Sequence, residues 1–293
     1  MPLNPETLLN YPIPDVHQHL SRQDTAFYAL SVGMAADPLD RKQLDFVDSA
    51  RDFQAHPCFP VVLAYPGFWL GNPATGVDAL KLVLGEQRIE WHKPIPVAGE
   101  IIGRTRVTGL VDKGPGKGAL LYSDKQLVDA ASGEVFAITS STTFLRGDGG
   151  CGAPSGPVRA AHAMPEGTPD CVIDHPTRPE QALYYRLNGD DNPLHANPDV
   201  AIRAGFERPI LHGLCTLAIS FQALFEVLAD YRSDLLHSLE VRFSAPVYPG
   251  ETLRTEIWND GSFRARVVER DVVVLNNGRL VLNRSELKKE HRS

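Results

Sequence analysis

A nearly continuous apolar stretch, residues 213–231, is the feature that most limits how this chain can fold. We predict one helix here, because a stretch of this length without Pro is typical of a helix and its apolar residues cover most of the circumference: Leu214, Cys215, Leu217, Ala218, Ile219, Phe221, Leu224, Phe225, Val227 and Leu228. A helix that is apolar nearly all round must be buried. At about 1.5 Å per residue it would be roughly 28 Å long, enough to cross the concave face of a curved sheet.

Alternating apolar and polar residues predict half-buried strands in both parts of the chain. These stretches follow two similar Gly-Glu turns, Gly99-Glu100 and Gly250-Glu251. We expect two antiparallel meanders, each wrapped around one buried helix. The predicted strands cover residues 101–111, 119–128, 135–145, 252–258 and 263–268.

A linker rich in Gly, Pro and Ala, residues 147–169, divides the chain into halves of similar size. We expect one domain at 1–146 and another at 170–293. The halves resemble each other, since each has a Pro-Leu turn and a later Gly-Glu turn, and the matched points lie about 150 residues apart. A duplication explains this pattern.

Charge and cysteine content exclude several classes of partner. The chain has 29 Lys and Arg against 36 Asp and Glu, a formal net charge of −7, so we expect no nucleic-acid or anionic-lipid partner. No apolar run is long enough to span a membrane. The four cysteines are scattered without metal-ligand spacing, which indicates reduced thiols and a cytoplasmic protein without structural zinc: Cys58, Cys151, Cys171 and Cys215.

The densest group of polar side chains lies in residues 185–198, which read Tyr-Arg-Leu-Asn-Gly-Asp-Asp-Asn-Pro-Leu-His-Ala-Asn-Pro. Asp190 and His195 stand five positions apart across a Pro turn. This spacing can bring a carboxylate and an imidazole together around a water molecule, where they could exchange protons near neutral pH. The same spacing also fits a plain turn in which Asp190 caps the backbone and His195 faces solvent.

Gly213, at the start of the predicted helix, has two interpretations as well. The first N–H groups of a helix have no partner inside it, and glycine lets another group approach the backbone closely. A thioester oxygen that gains negative charge could be stabilised there, with help from the helix dipole. Alternatively, Gly213 starts a helix at a point where a side chain would clash.

These segments resemble the signature of the MaoC-like, (R)-specific type 2 enoyl-CoA hydratases. Two long blocks carry the resemblance in the second half, residues 185–198 and 204–215. The first half is similar to the same family, so the resemblance covers nearly the whole chain; its matching segments are residues 24–33, Pro66-Gly67, Asp112-Lys113-Gly114 and residues 146–150.

The resemblance implies an α+β double hot-dog fold, in which each half is a curved antiparallel sheet wrapped around a helix. It implies that trans-2-enoyl-CoA is hydrated to (3R)-3-hydroxyacyl-CoA with no cofactor and no metal, and we expect a homodimer. In such enzymes an Asp and a His bind the water, an Asn orients it and a Gly N–H receives the thioester oxygen. These roles fall on Asp190, His195, Asn192 and Gly213. Asn197 departs from the family, where many members have Asp.

The first half lacks this pair of side chains. Its Pro-Leu turn contains Asp37, and Asp40 stands where His195 would fall. We therefore expect one active site per chain, with the first half free to accommodate a long or bulky acyl group.

Three competing functions have some support in the sequence. Residues 15–19, Asp-Val-His-Gln-His, imitate the His-x-His motif of metal-dependent amidohydrolases, which are TIM barrels, but no second cluster with metal spacing exists. An acyl-CoA thioesterase and a non-catalytic acyl-CoA-binding protein would share the hot-dog fold. The role of His212 also has two interpretations, a structural contact at the helix start or a role in the active site.

Overall fold

One antiparallel sheet of ten strands forms the framework of the chain in the computed structural model, which describes residues 3–153 and 158–283. Residues 154–157 of the expected linker lie outside the described residues. The strands of the first half are β1 Val16–Leu20, β2 Leu82–Trp91, β3 Gly99–Asp112, β4 Ala119–Asp129 and β5 Val135–Leu145. Those of the second half are β6 Cys171–Pro176, β7 Leu236–Phe243, β8 Thr252–Ile257, β9 Ser262–Val267 and β10 Val272–Leu282.

The strand order repeats from one half to the other. From its outer edge to the centre, the first half runs β1-β3-β4-β5-β2 and the second runs β6-β8-β9-β10-β7. The two halves join through β2 and β7, where residues 86–90 pair with residues 238–242. This repeated order is the α+β double hot-dog fold expected from the sequence, and it accounts for the internal similarity of the chain.

The helices are α1 Pro5–Leu9, α2 Arg22–Ser31, α3 Arg41–Leu44, α4 Gln181–Tyr185, α5 Pro198–Arg203 and α6 Gly213–Ala229. In the described residues, α2 and α3 lie between β1 and β2, α4, α5 and α6 lie between β6 and β7, and α1 precedes β1. Short 3-10 turns add Phe59–Val61, Trp69–Gly71, Pro73–Thr75, Ala79–Lys81, Arg186–Asn188, Pro193–His195 and Ser233–Leu235. None of the helices in the described part of the chain has both the length and the hydropathy needed to cross a bilayer.

The long buried helix predicted at residues 213–231 is α6. It packs against β6, β7, β8 and β10. It ends at Asp230, which has a left-handed backbone with φ of 50°, and Tyr231 follows with φ of 61°. Its buried polar side chain Gln222 donates to the main-chain oxygen of Val32 in the first half, so α6 contacts both halves.

The expectation of a second long helix, in the first half, is wrong. The segment in the matching position, residues 55–67, forms a single 3-10 turn, Phe59–Val61. It contains Pro57, Pro60 and Pro66. Proline lacks the N–H needed inside a helix and disfavours helical backbone at the residue before it. The interior is still filled, because Phe59, Val61, Val62 and Leu63 are buried.

A buried lysine on β4 pairs with the main chain of this irregular segment. The amine of Lys125 donates to the oxygens of Val61, at 3.3 Å, and Leu63, at 2.5 Å. Burial lowers the pKa of Lys125 to about 7. A neutral amine can still donate to both carbonyls, which would otherwise be buried polar atoms without a donor.

Replacement of Lys125 by Met should change how stability depends on pH. An unfolded lysine has a pKa of about 10.4, so between pH 7 and 10 the unfolded chain binds a proton that the folded chain does not. The unfolding free energy of the wild type should therefore rise with pH relative to that of Lys125→Met. Urea unfolding at pH 7, 8 and 9 measures this difference. Parallel curves for the two proteins would contradict it.

Candidate active site

The segment that carries Asp190 and His195 is shaped by three local features. Gly189 has φ of 107°, a left-handed conformation that suits glycine and ends the turn Arg186–Asn188. Pro193 occupies the first position of the next turn, Pro193–His195, where its missing N–H costs nothing. Asn192 caps that turn, because its Oδ1 accepts from the N–H of Leu194 at 3.0 Å.

This shape brings the carboxylate and the imidazole together. One side-chain oxygen or nitrogen from each of Asp190, His195 and His212 lies within 4.8 Å of the others. The Nδ1 of His195 lies 2.8 Å from the main-chain oxygen of Ile210. A carbonyl can only accept, so Nδ1 carries the proton and Nε2 keeps its lone pair. His195 is half-buried, not solvent-facing as in the plainer interpretation of the sequence.

Burial moves the pKa values of these two groups toward each other. It raises the pKa of Asp190, an effect that the imidazole of His195 and the N–H of Asn192 partly oppose. It lowers the pKa of His195, while the Ile210 carbonyl and the Asp190 carboxylate act in the opposite direction. Because burial lowers the pKa of His195, its imidazole is neutral at neutral pH, and its Nε2 is a hydrogen-bond acceptor beside the carboxyl group of Asp190.

Gly213 is the first residue of α6, and its surroundings agree with both interpretations of the sequence. His212 at the N-cap makes no side-chain bond to the first turn, which leaves the initial N–H groups of the helix uncapped. Gly213 is itself partly exposed. A Cβ at Gly213 would lie 3.2 Å from the ring of Phe243, so the site also has little room for a side chain.

Two of the three asparagines in residues 185–198, Asn192 and Asn197, act as caps. The side-chain oxygen of Asn192 is used by Leu194, so its main visible effect is to fix the turn that holds His195, and its amide nitrogen is left for other contacts. Asn197 caps α5, accepting from the N–H of Asp199 at 2.9 Å and of Val200 at 3.4 Å. Asn and Asp are equally good caps, so the Asp that the family resemblance implies at position 197 would cap α5 in the same way.

Two further side chains of this region were not assigned a role by the sequence. His212 is buried, and its ring stacks on that of His195 with 3.7 Å between centroids. The pKa of Tyr65, from the first half, is raised to about 12, mainly by desolvation and to a smaller extent by the nearby charges of Asp190 and Asp191. The position of Tyr65 depends on contacts between the halves, and only its neighbours Pro66-Gly67 carried a sequence signal.

The arrangement of Asp190, His195 and His212 favours a water molecule over a metal ion. The two imidazole rings are stacked with 28° between their planes, so their lone pairs lie in nearly parallel planes and do not converge on one point. The Nε2 of His212 also lies 3.1 Å from the main-chain oxygen of Asp190, a bond that requires its proton. These residues would have to rearrange to bind a metal.

The amidohydrolase interpretation of residues 15–19 is wrong. His17 and His19 lie on β1 at the edge of an antiparallel sheet, which is not a TIM barrel. His19 is exposed and pairs with Glu100 at 2.6 Å. In the described ranges, neither histidine belongs to a group of three or more potential metal ligands.

The acidic residues at the matching place in the first half cap the backbone. Asp37 accepts from the N–H of Leu39, and Asp40 accepts from the N–H groups of Lys42 and Gln43 at the start of α3. The side-chain oxygens of Asp37 and Asp40 therefore bind N–H groups of their own turn, and that turn contains no histidine.

Comparison with known proteins gives consistent matches over both halves. A family model described as the MaoC like domain matches residues 160–278, and one described as the MFE-2 hydratase 2 N-terminal domain matches residues 19–147. The peroxisomal enoyl-CoA hydratase 2 of Arabidopsis thaliana is 34% identical over 292 residues, which cover 93% of each chain. The peroxisomal multifunctional enzyme type 2 of Mus musculus is 36% identical over 283 residues, 92% of this chain but 37% of that protein.

A solved structure also matches nearly end to end. The crystal structure of a MaoC-like dehydratase from Phytophthora capsici superimposes with a TM-score of 0.84 at 31% identity, covering 96% of this chain and 98% of that one. The similarity therefore extends through the sheet, both halves and the segment that carries Asp190 and His195.

The proton affinity of His195 can be measured directly. We expect its imidazole to take up a proton below the ordinary histidine pKa of about 6.5, because burial disfavours the charged ring. Asp190→Asn should lower this pKa further, since the carboxylate stabilises the charged imidazole. An NMR titration, with the His195 signal assigned by its loss in His195→Gln, measures both. A pKa above 6.5, or a rise in Asp190→Asn, would contradict the geometry.

Proposed function

The chain belongs to the MaoC-like family that includes the type 2 enoyl-CoA hydratases, and we propose that it adds water to trans-2-enoyl-CoA to give (3R)-3-hydroxyacyl-CoA, and catalyses the reverse dehydration. The observation that carries the proposal is the pair Asp190 and His195 beside the start of α6. Hydration transfers no net electrons, so acid–base groups and a hydrogen-bond donor suffice for it.

Asp190 and His195 would hold the water that reacts. A water molecule has two protons, and it can donate one to the carboxylate of Asp190 and the other to the Nε2 of His195. Its oxygen lone pair then remains free to attack C3 of the substrate. The hydrogen bond that the Nδ1–H of His195 donates to the main-chain oxygen of Ile210 keeps Nε2 in the accepting form that this arrangement requires.

This geometry indicates where the water proton and the π electrons would move during hydration. As the water oxygen bonds to C3, one water proton passes to the Asp190–His195 pair and the π electrons move toward the thioester oxygen. The enolate formed in this way then takes a proton at C2, and the carbonyl is restored. The product has gained one H₂O, and the pair returns to its initial state.

Gly213 would supply the hydrogen bond to the thioester oxygen. The first N–H of α6 has no partner within the helix, and the helix dipole adds a partial positive charge at this end. Because α6 is buried along most of its length, this donor is held in place before the substrate binds. A donor of this kind is most effective when charge develops in the transition state.

The first half would accommodate the acyl group without taking part in the chemistry. Asp37 and Asp40 are used as caps, and the long helix of the second half has no counterpart in residues 55–67. This supports the division into a non-catalytic half at 1–146 and a catalytic half at 170–293. The homodimer and the cytoplasmic location remain predictions; four free cysteines agree with a reducing compartment, and both relatives compared above are named peroxisomal.

An assay with crotonyl-CoA separates this function from its rivals. A hydratase removes the conjugated double bond and its near-ultraviolet absorbance, and chiral analysis identifies the (3R) product. A thioesterase releases free thiol instead, and a binding protein does neither. Thiol release without loss of the double bond, or no turnover at all, would overturn the proposal.

The variants Asp190→Asn and His195→Gln should lower kcat by about 100- to 10,000-fold, because each removes one acceptor and proton carrier while preserving shape. Asp37→Asn and Asp40→Asn are matched controls, since Asn keeps the caps and removes a charge; they should stay within about threefold of wild type. Urea unfolding checks that all four variants are folded. Near-normal turnover in a folded Asp190→Asn or His195→Gln would remove that residue from the mechanism.

Gly213→Pro should lower kcat by about 100- to 1,000-fold by removing the N–H donor. Proline is well suited to the first position of a helix, and His212 before it, with φ of −58° and ψ of 135°, already has the backbone that a following proline prefers. Gly213→Ala is the matched control: it adds the same Cβ beside Phe243 and keeps the N–H. Equal kcat values for the two variants would exclude this N–H as the donor.

A further inference from the structure

His212 is buried and contacts three parts of the candidate site. Its ring stacks on His195 at 3.7 Å, and its Nε2–H donates to the main-chain oxygen of Asp190 at 3.1 Å. Its own main-chain oxygen accepts from the N–H of Thr216 at 3.0 Å and from the Thr216 hydroxyl at 3.2 Å, within the first turn of α6. One residue therefore touches the acid–base pair and also occupies the N-cap position of the helix whose first N–H belongs to Gly213.

The protonation state of His212 is fixed by its surroundings. Burial, and to a smaller extent the neighbouring His195, lower the pKa of His212 to about 2. The ring is then neutral, with its one proton on Nε2, where the bond to Asp190 requires it. A neutral ring can lie against His195 without repelling a positive charge that forms there during turnover.

A column of buried aromatic rings packs against the His212 ring on the side of Tyr185. The ring of Tyr185 lies 4.9 Å from that of His212, and the ring of Tyr28, from the first half, lies 6.1 Å from Tyr185. Tyr28 stacks in turn on Phe59 at 4.4 Å. Tyr28, Tyr185, Phe59 and His212 are all buried, so this aromatic column gives the His212 ring little freedom to move.

We propose that His212 is a positioning residue, which holds the ring of His195 by stacking and the main chain of Asp190 by a hydrogen bond, and so aligns the pair with the N–H of Gly213. This inference rests on the proposed hydratase function. His212 acts through its neighbours: less than 2% of the residue is exposed, and its remaining nitrogen, Nδ1, is buried. A displacement of about 1 Å in a reacting group can cost about 100-fold in rate.

Two substitutions separate the two contacts. His212→Phe keeps a ring against His195 and loses the hydrogen bond to Asp190, whereas His212→Gln keeps an N–H donor and loses the stacking. We expect kcat to fall by about 10- to 100-fold in His212→Phe, with KM within about threefold, and to fall less in His212→Gln if the donor is retained. His237→Gln, at an exposed histidine on β7, is the matched control and should equal wild type.

A double-mutant cycle distinguishes positioning from general stability. If His212 acts through the pair, His212→Phe should cost less than about threefold in a His195→Gln background, because there is no longer an aligned imidazole to disturb. The same loss in both backgrounds, or a folded His212→Phe within threefold of wild type, would overturn the proposal. If His212→Phe does not fold, His212→Gln is used in the same cycle with the same criteria.

The wild-type assay keeps the two proposals apart. If the wild-type protein does not hydrate crotonyl-CoA or a longer enoyl-CoA, the proposed function fails. If it does, and the cycle is additive, only the role of His212 fails.

Discussion

The burial of α6 is the constraint on which the rest of the structure depends. Its side chains are apolar on nearly every side, so the helix is stable only inside the curved sheet, where it packs against β6, β7, β8 and β10. Its first turn is therefore fixed relative to the sheet. The turn that carries His195 binds next to it through the Ile210 and His212 contacts. The candidate site has a fixed geometry because it lies at the N-terminal end of α6, a helix that is buried along most of its length.

The two halves repeat one strand order, but the arrangement around the start of α6 lies in the second half. Each half supplies five strands in the same order, and the joint between β2 and β7 makes the sheet continuous. One buried helix contacts both halves, through Gln222 and Val32 among others. The first half has three prolines in residues 55–67 in place of such a helix, and the amine of Lys125 pairs with the buried main-chain oxygens of Val61 and Leu63. Its remaining contribution to the site includes Tyr65 and the ring of Tyr28 below Tyr185.

Local sequence patterns predicted the long helix and half of the strands named above. The contacts that they did not predict have a common cause. The helix predicted at 213–231 is α6, shortened by two residues, and the five predicted strands agree closely with β3, β4, β5, β8 and β9. The Pro turn between Asp190 and His195 permitted their proximity but fitted a plain turn as well, and the family resemblance favoured the pair. The stacking of His212 on His195, the pairing of Lys125 and the approach of Tyr65 to Asp190 all depend on segments far apart in sequence. The prolines of residues 55–67 argue against a helix there. The similarity of the two halves led us to expect one nevertheless.

The same burial that fixes the geometry also suits the chemistry. In water an aspartate has a pKa of about 3.9 and a histidine about 6.5, so a proton strongly prefers the imidazole. Burial raises the pKa of Asp190 and lowers that of His195, which brings their proton affinities closer together. A smaller difference in proton affinity lowers the cost of moving a proton between the two groups, and a coupled pair of this kind titrates as one unit. Hydration needs a base for the water and an acid for C2, and dehydration needs the reverse. In the proposed reaction, two groups whose proton affinities lie closer together, next to the first N–H of α6, would serve both directions.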